Sequence, residues 1–370
     1  MKKNFHPGIS SNFIKINSNF KVHYLESKPK NNKNLIALLL HGFPELSFSW
    51  RKIMPLLSEQ GFRVIAPDQR GYGKTKGGSS DFDTDLKQYN LFNLTTDIIA
   101  FLKKLNISKV NLLVGHDAGS IISGTAALIR PDIFQSVVMM SAPYTGIPII
   151  NLQKLSDPIH RDLKNLKTPR KHYQWYYSSK TANKDMHLKT KKRLHEFLRC
   201  YFHTKSADWK YNSPKKLKSW TAKELSKLPE YYVMKLEDTM VDSVIKYKPE
   251  KKEYERWLND DELGFYTETF FKTGFQASLN WYRCMTSSSM NNDLQIFEGK
   301  VIEVPSMFIS GEKDWGMYQK PGALEEMKKN VCKNFYGIKI VKNAGHWVQQ
   351  EQPKKVFELL NNFYKSQKNN

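Results

Sequence analysis

One segment of the chain combines residue types and spacing that could support covalent catalysis. It is Gly115-His116-Asp117-Ala118-Gly119, between an apolar run that predicts a strand and one that predicts a helix. The spacing is that of the G-x-S-x-G turn, which presents a nucleophilic serine at the end of a strand, with aspartate in place of serine. Flanking glycines permit a tight turn, and a helix start favours negative charge. The segment predicts that Asp117 is a nucleophile; an N-cap aspartate is the alternative when the segment is considered alone.

Two later segments supply the partners that such a nucleophile needs. GEKD, which ends at Asp314, follows the predicted strand PSMFIS, and GHW, centred on His346, follows the predicted strand KIVKNA. In proteins with this kind of turn, the acid and then the histidine follow the nucleophile along the chain. All three side chains come where a strand ends, so we expect them on one edge of a sheet. The order predicts a triad of Asp117, Asp314 and His346.

A fourth segment, HGFPE at 41–45, follows the apolar run NLIALLL. In this arrangement the loop after that strand and the residue after the nucleophile each provide a backbone N–H for an oxyanion. The sequence therefore predicts an oxyanion hole formed by the amides of Phe43 and Ala118.

The aspartate itself indicates the kind of bond that is attacked. A carboxylate that attacks a saturated carbon forms an alkyl ester, which water can hydrolyse, whereas a serine would form an ether. Asp117 therefore favours substrates with a strained or displaceable group on saturated carbon, such as epoxides or alkyl halides.

The elements that must position these residues alternate between strands and helices. Short apolar runs predict buried strands, and FIKI with KVHYLE predicts an entry hairpin. Helices are predicted between the strands at SFSWRKIMPLLSEQ, NLTTDIIAFLKKL and 118–129, and near the end of the chain at GALEEMKKN and PKKVFELLNNFY. The rhythm predicts an α/β fold with a mostly parallel, doubly wound sheet.

The alternation stops after about residue 145 and resumes near 293. The residues between are rich in Lys, Tyr and Trp, with helical periodicity in places such as KKRLHEFLRCYF. We therefore expect a core domain formed by 1–145 and 293–370, and a mainly helical cap formed by 146–292. Such a cap would cover the carboxyl edge of the sheet, where open α/β sheets bind ligands.

The net charge of +22 could attract polyanions without specificity. The lysines, however, are spread along the chain among many asparagines, and no recognisable nucleic-acid-binding motif occurs. We expect a solvated, lysine-rich surface and no nucleic-acid partner; the alternative is a dedicated polyanion site.

The cysteine content and the hydropathy of the chain limit the remaining classes of protein. Cys200, Cys284 and Cys332 are an odd number at wide spacing, which predicts reduced thiols and neither a disulfide framework nor a zinc site. No segment reaches the roughly 18 apolar residues of a membrane span, and no signal-peptide pattern occurs. We expect no stable membrane insertion, and by default a cytoplasmic monomer; export is the alternative where a targeting segment has been removed.

These motifs together resemble the epoxide hydrolases of α/β-hydrolase fold across nearly the whole chain. The resemblance rests on HGFPE, PDQRGYG at 67–73, GHDAG, GEKD and GHW. It also includes YYVM, the nearby LEDTM at 236–240 and FFKTGFQASLNWYRC at 270–284, which are similar to that family's cap. The resemblance implies conversion of an epoxide to a vicinal diol through an Asp117 ester, without a metal or organic cofactor.

The same resemblance implies further site residues. In that family two cap tyrosines hold the epoxide oxygen and protonate it; the motif LNWYR assigns one to Tyr282, and KHYQWYY assigns the other to Tyr173. We also expect Trp347 to contact the substrate. The Tyr- and Trp-rich cap suggests a lipophilic substrate, with fatty-acid epoxides as one class.

One position departs from the family's common pattern. Many relatives carry Trp directly after the nucleophile, where this chain has Ala118. The backbone N–H is retained, but the pocket wall is smaller. Ala118 also disfavours the related haloalkane dehalogenases, which use that Trp to hold the halide. A dehalogenase and a non-catalytic small-molecule receptor on the same fold are the alternatives.

Overall fold

Eight strands form one sheet in the computed structural model, which describes residues 7–31, 33–147 and 157–367. Two further strands, β7 and β8, pair only with each other. In chain order the strands are β1 (Ile9–Lys15), β2 (Lys21–Ser27), β3 (Leu35–Leu40), β4 (Phe62–Pro67), β5 (Leu112–His116), β6 (Val137–Met140), β7 (Arg170–His172), β8 (Val233–Lys235), β9 (Ser306–Gly311) and β10 (Phe335–Val341).

The order of the strands in the sheet is β1-β2-β4-β3-β5-β6-β9-β10. β1 with β2 and β2 with β4 are antiparallel, and every later neighbour is parallel. The predicted entry hairpin and mostly parallel sheet are confirmed. Because β3, β5 and β9 are parallel, the segments HGFPE, GHDAG and GEKD all leave the sheet at its carboxyl edge.

The helices account for about half of the remaining described residues. The α-helices are α1 (Met54–Glu59), α2 (Leu91–Lys104), α3 (Ala118–Ile129), α4 (Ile159–Lys164), α5 (Tyr173–Tyr177), α6 (Ala182–His187), α7 (Lys191–Lys205), α8 (Ala222–Leu225), α9 (Met240–Ile245), α10 (Lys251–Tyr254), α11 (Asp260–Thr273), α12 (Gln276–Met285), α13 (Ala323–Glu326), α14 (Val348–Glu351) and α15 (Pro353–Ser366). Short 3-10 helices lie at Ser47–Trp50, Lys87–Tyr89, Ser288–Phe297 and Trp315–Met317, and a π-helical turn at Met327–Val331.

The central strands are mostly apolar because both faces of the sheet are covered there. Along β3, Leu38 and Leu40 belong to one buried cluster, and Ala37 and Leu39 belong to a second. The first cluster includes side chains of α2 and α3 and continues into the cap; the second includes side chains of α1 and α15. Side chains alternate across a strand, so a strand buried on both faces needs apolar residues at most of its positions.

One predicted helix is wrong in extent. SFSWRKIMPLLSEQ forms a 3-10 helix, Ser47–Trp50, and then a separate α-helix that starts at Met54 with Pro55 in its first turn. Proline lacks an N–H and suits the first turn of a helix, so it marks a start and does not continue an earlier helix.

Helices α4–α12 and the β7–β8 ladder lie in sequence between β6 and β9 and form the mainly helical cap. Nine α-helices are described there, most of them four to six residues long. The apolar cluster that fills the cap is continuous with the one on the α2–α3 face of the sheet. The cap therefore lies over the part of the core in which Asp117 precedes α3.

Candidate active site

Asp117 occupies a sharp turn between β5 and α3, with a φ of 53° that non-glycine residues rarely adopt. The turn packs so closely on the sheet that its flanking positions have no room for a side chain. A Cβ on Gly119 would lie 2.4 Å from the carbonyl oxygen of Leu40, and one on Gly115 would lie 2.1 Å from that of Gly119. The glycines therefore permit the turn that aims the Asp117 carboxylate off the edge of the sheet.

His346 lies between the two aspartates. Its Nε2 is 3.4 Å from Oδ2 of Asp117, and its Nδ1 is 3.1 Å from Oδ1 of Asp314. Asp314 also accepts hydrogen bonds from the Gly316 N–H at 2.7 Å and the Ser310 hydroxyl at 3.1 Å. This is the geometry of a nucleophile, a base and an orienting acid. The three residues named from separate segments of the sequence thus meet in one place.

Neighbouring charges determine the ionisation states of Asp117, Asp314 and His346. Burial opposes ionisation of Asp117, but His346, Lys205 and His116 outweigh it and hold the pKa of that carboxyl well below its usual range. Asp314 behaves in the same way, because His346 and the Gly316 N–H outweigh its burial and lower its pKa. Burial lowers the pKa of His346, yet the charge of Asp314, the hydrogen bond with it and the nearby carboxylate of Asp117 raise it to about 9. The resting site is an imidazolium between two carboxylates.

The backbone of HGFPE reaches the same carboxylate. The Phe43 N–H donates to Oδ1 of Asp117 at 3.1 Å. A Cβ on Gly42 would lie 2.4 Å from the Cβ of Asp117, so only glycine permits this approach. Ala118 is the first residue of α3, where a helical N–H has no partner within the helix. Of the two amides predicted for an oxyanion hole, that of Phe43 thus contacts the carboxylate of Asp117, and that of Ala118 directly follows Asp117 in the chain.

Two cap tyrosines border the site. Tyr173 begins α5 and Tyr282 lies in α12; they are only 5% and 4% exposed, and their ring centroids are 6.0 Å apart. The Tyr173 hydroxyl donates to Oε1 of Gln319 at 3.0 Å. Burial, and after it the charge of Asp117, raises the pKa of each tyrosine well above its ordinary value. Both hydroxyls therefore keep their protons.

A cavity of about 350 Å³ lies over Asp117, and its wall includes Ala118, Tyr173 and Tyr282. Trp175 and Trp220 add apolar wall. A smaller cavity of about 150 Å³ adjoins it, and the residues common to both walls are Leu91, Ala118, Ile121 and Met285. Asp117 and both cap tyrosines thus share one mostly apolar space.

Trp347 does not border this cavity. Its side chain is fully buried, its indole N–H donates to the carbonyl oxygen of Phe202 at 2.8 Å, and its ring lies 4.5 Å from that of Phe202. The indole is thus fixed against the C-terminal end of α7. This placement corrects the predicted substrate contact.

The backbone around His346 is tied to the cap. The His346 N–H donates to the carbonyl oxygen of Lys205 at 2.8 Å. The carboxylate of Glu351 accepts from the N–H groups of Gly345 at 3.0 Å, Trp347 at 3.1 Å and Ala207 at 2.8 Å. One side chain of the core therefore joins the backbone on both sides of His346 to the cap segment that follows α7.

A second buried pair, between a histidine and a glutamate, was not predicted from the sequence. Nδ1 of His116 lies 2.5 Å from Oε2 of Glu45, and its Nε2 lies 2.7 Å from the carbonyl oxygen of His346. Both residues stand inside the quoted motifs GHDAG and HGFPE, next to positions that were assigned roles. The sequence signal that could have predicted this pair is that His116 and Glu45 each lie inside a motif of the site.

Metal binding, membrane spans and cysteine pairing can each be checked against the described residues. Over 7–31, 33–147 and 157–367, no group of three or more His, Cys, Asp or Glu side chains could hold a metal ion. No helix in those ranges is long and apolar enough to cross a membrane. The cysteines Cys200, Cys284 and Cys332 are unpaired and buried, and burial raises the pKa of each thiol, as their predicted structural role implies.

The sheet, the turn at Asp117 and the cap define a class. The chain belongs to the alpha/beta hydrolase fold family, whose sequence profile matches residues 38–353. Among curated relatives, Epoxide hydrolase B from Mycobacterium tuberculosis is 28% identical over 354 residues, covering 93% of this chain and 95% of that protein. Epoxide hydrolase 3 from Siraitia grosvenorii is 29% identical over 340 residues, covering 89% of this chain and 91% of that protein.

Solved structures agree with this assignment. Epoxide hydrolase I from potato, Solanum tuberosum, superposes with a TM-score of 0.71 at 27% identity, covering 97% of this chain and 99% of that one. An epoxide hydrolase from an endophytic Streptomyces has the same fold, with a TM-score of 0.76 at 23% identity and coverage of 98% and 97%. The resemblance to the epoxide hydrolases that the motifs predicted is confirmed.

Proposed function

We propose that the chain is an epoxide hydrolase that opens a lipophilic epoxide through an ester of Asp117 and releases a vicinal diol. The observation that carries this proposal is the single cavity bordered by Asp117, Tyr173 and Tyr282. A carboxylate can attack a saturated carbon there while protonated hydroxyls bind the oxygen that departs from it. The relatives and solved structures named above carry the same activity in their names.

In the first step an oxygen of Asp117 attacks one carbon of the epoxide. The ring C–O bond breaks, and its electron pair moves to the epoxide oxygen, which Tyr173 and Tyr282 hold by hydrogen bonds. Overall the new hydroxyl gains one proton, and His346, protonated in the resting site, loses one. The products of this step are a neutral ester on Asp117 and a neutral imidazole.

In the second step water hydrolyses the ester. His346, oriented by Asp314, takes a proton from water while the oxygen of that water bonds to the ester carbonyl carbon. The amides of Phe43 and Ala118 hold the oxyanion. The bond to the diol oxygen then breaks, the diol leaves with the proton of the new carboxyl group, and Asp117 returns as a carboxylate beside protonated His346.

The walls of the site favour a lipophilic substrate. The cavity of about 350 Å³ has mostly aromatic and aliphatic walls, with the charge of Asp117 on one side. Epoxides of fatty acids are one class of suitable substrate.

We also assign residues 146–292 to a cap domain and residues 1–145 with 293–370 to the core domain.

Two other functions are disfavoured by particular residues. Ala118 has no ring N–H with which to hold a departing halide, so a dehalogenase would lack a usual donor. A non-catalytic receptor has no need for Asp314 and His346 at hydrogen-bonding distance from each other. An assay in which simple haloalkanes release halide while epoxides are left unchanged would favour the dehalogenase.

A single-turnover experiment in oxygen-18 water tests the ester. With enzyme in excess over a lipophilic epoxide, the first diol should contain no label, because its new oxygen comes from Asp117. After many turnovers in the same water, mass spectrometry of the peptide that contains Asp117 should find the label. Label in the first diol would rule out the ester route. Asp117→Ala is the control and should form no diol.

A further inference from the structure

Lys205 is a buried cation beside the proposed catalytic residues that the mechanism above does not use. It is the last residue of α7 and only 3% exposed. Among the described residues no carboxylate forms an ion pair with it. Burying an ammonium group is costly unless nearby groups compensate for the lost water. A charge kept in such a place is a candidate for a function.

Aromatic rings surround this ammonium group. The Nζ atom lies 4.7 Å from the ring centroid of Tyr232, 5.2 Å from Tyr201, 5.5 Å from Tyr231, and 5.9 Å from both Tyr173 and Trp347. The faces of aromatic rings attract cations, most strongly where water is excluded. The cage can therefore stabilise the charge without neutralising it.

The cage is part of the site. Tyr173 belongs both to the cage and to the cavity wall, and Trp347 follows His346 in the chain. The backbone of Lys205 is also fixed, since its carbonyl oxygen accepts the His346 N–H at 2.8 Å. A positive charge thus stands at a defined place close to the catalytic histidine.

We propose that Lys205 is a positioning residue, a fixed cation that keeps Asp117 ionised before attack and favours neutral His346 once the ester has formed. This inference rests on the proposed function. In the resting site two carboxylates face His346 and Lys205. When Asp117 becomes an ester, only Asp314 is left to balance two cations, so His346 releases its proton more readily. Neutral His346 is the form that can take a proton from water.

The electrostatic effects of Lys205 have the required direction. Its charge helps to lower the pKa of Asp117 and opposes the rise in the pKa of His346. Other titratable groups face the same region and would be unchanged in any variant of Lys205. They are Asp117, His116 with Glu45, Asp314, Glu351, Tyr173, Tyr201, Tyr231 and Tyr232.

Substitution of Lys205 by a neutral and by a charged residue tests the proposal. Transient kinetics with a fluorescent epoxide would measure ester formation and ester hydrolysis separately between pH 5 and pH 10. In Lys205→Met, hydrolysis near pH 6 should slow roughly ten-fold, as about one unit of increase in the pKa of His346 requires. Ester formation at neutral pH should change much less, and ester should accumulate. Lys205→Arg should restore the wild-type pH profile.

Controls separate charge from packing. Lys210→Met removes one exposed lysine from the same region and should leave the profile unchanged. Lys205→Gln is a second neutral variant with a different shape. A Lys205→Met profile that matches the wild type would overturn the proposal. So would loss of folding in both neutral variants while Lys205→Arg folds, because the lysine would then be structural.

The outcomes distinguish this inference from the function on which it rests. If the wild type forms no ester with any epoxide, the proposed function has failed. If the wild type forms and hydrolyses the ester, but Lys205→Met does so with the same pH dependence, only the role of Lys205 has failed.

Discussion

Ala118 places a methyl group where many relatives carry a tryptophan, next to the proposed nucleophile. Its side chain borders both the cavity of about 350 Å³ and the adjoining cavity of about 150 Å³. The smaller space is lined by apolar side chains, among them Leu94, Ile122 and Trp281. An epoxide with substituents on both carbons could place one in each space.

Ala118→Trp should therefore change substrate preference. The indole would occupy the smaller cavity, so kcat/KM for epoxides substituted on both carbons should fall about ten-fold or more, in the range that one or two methylenes are worth in an apolar pocket. Terminal epoxides should be affected less. Steady-state kinetics on a matched pair of epoxides gives the ratio. Ala118→Gly is the control, and an equal loss on both substrates would contradict a steric role.

Sequence predicted the reacting groups better than the residues that support them. Asp117, Asp314 and His346 follow strands in a fixed order, so their meeting on one edge of the sheet could be derived from the topology. Lys205 and Gln319 belong to no motif, and their places depend on how the cap packs on the core. Trp347 was assigned wrongly because sequence does not specify whether a side chain beside the catalytic histidine points to the cavity or beneath it.

At the scale of elements, a buried arginine holds the cap on the core. Arg51 follows the 3-10 helix Ser47–Trp50, and its side chain is 6% exposed. Its Nε lies 2.8 Å from Oε1 of Glu262 in α11, and its Nη1 donates to Oε1 of Gln350 in α14 at 2.8 Å. One side chain thus joins a core loop, a cap helix and the helix that follows His346.

Arg51→Met should weaken the whole molecule. It leaves the carboxylate of Glu262 without its main partner, and a loss of about 2–4 kcal/mol in the free energy of unfolding is expected for a broken, partly buried pair. Urea unfolding measures this loss, and Arg51→Met with Glu262→Gln should recover part of it. Lys355→Met breaks an exposed pair with Glu358 and should cost less than about 1 kcal/mol. Equal losses from the two single changes would contradict the role given to Arg51.

Elements of the core were predictable and many of the cap were not. Apolar runs such as NLIALLL indicate strands buried on both faces, and the predicted helix 118–129 matches α3. In the cap, helices such as α5 and α8 have five and four residues, too few to show a period. Short helices gain their stability from tertiary packing, which a local pattern does not contain.

At the scale of the whole molecule, the charge on His346 links stability to pH. The pKa of His346 is raised from 6.5 to about 9 in the folded protein. Its contribution is therefore fully present below about pH 6.5 and lost as pH rises through about 9. The difference in unfolding free energy between the wild type and His346→Gln should fall by about 3 kcal/mol from pH 6 to pH 10.

Urea unfolding of both proteins at each pH gives that difference. Other buried groups titrate in the same range, including Glu351 and Lys52, each with a pKa of about 8. They are present in both proteins, so their effects largely cancel in the comparison. A difference that stays constant with pH would contradict a raised pKa for His346.

The net charge of +22 is a property of the surface as a whole. Several lysines pair with nearby carboxylates, among them Lys191 and Lys272, which both contact Glu268. Exposed pairs of this kind add little stability, but they neutralise part of the charge locally. That the remaining lysines form a solvated surface and not a polyanion site stays a prediction.

The carboxylate of Glu351 constrains how substrate can reach the site. Because it binds the backbone on both sides of His346 and also Ala207, raising the end of α7 from the core would pull the histidine away from Asp117. We therefore expect that end of the cap to stay in place during turnover. We expect substrate to enter and leave where Trp220 and Met285 border the cavity and are partly exposed, while Asp117 and His346 keep their positions.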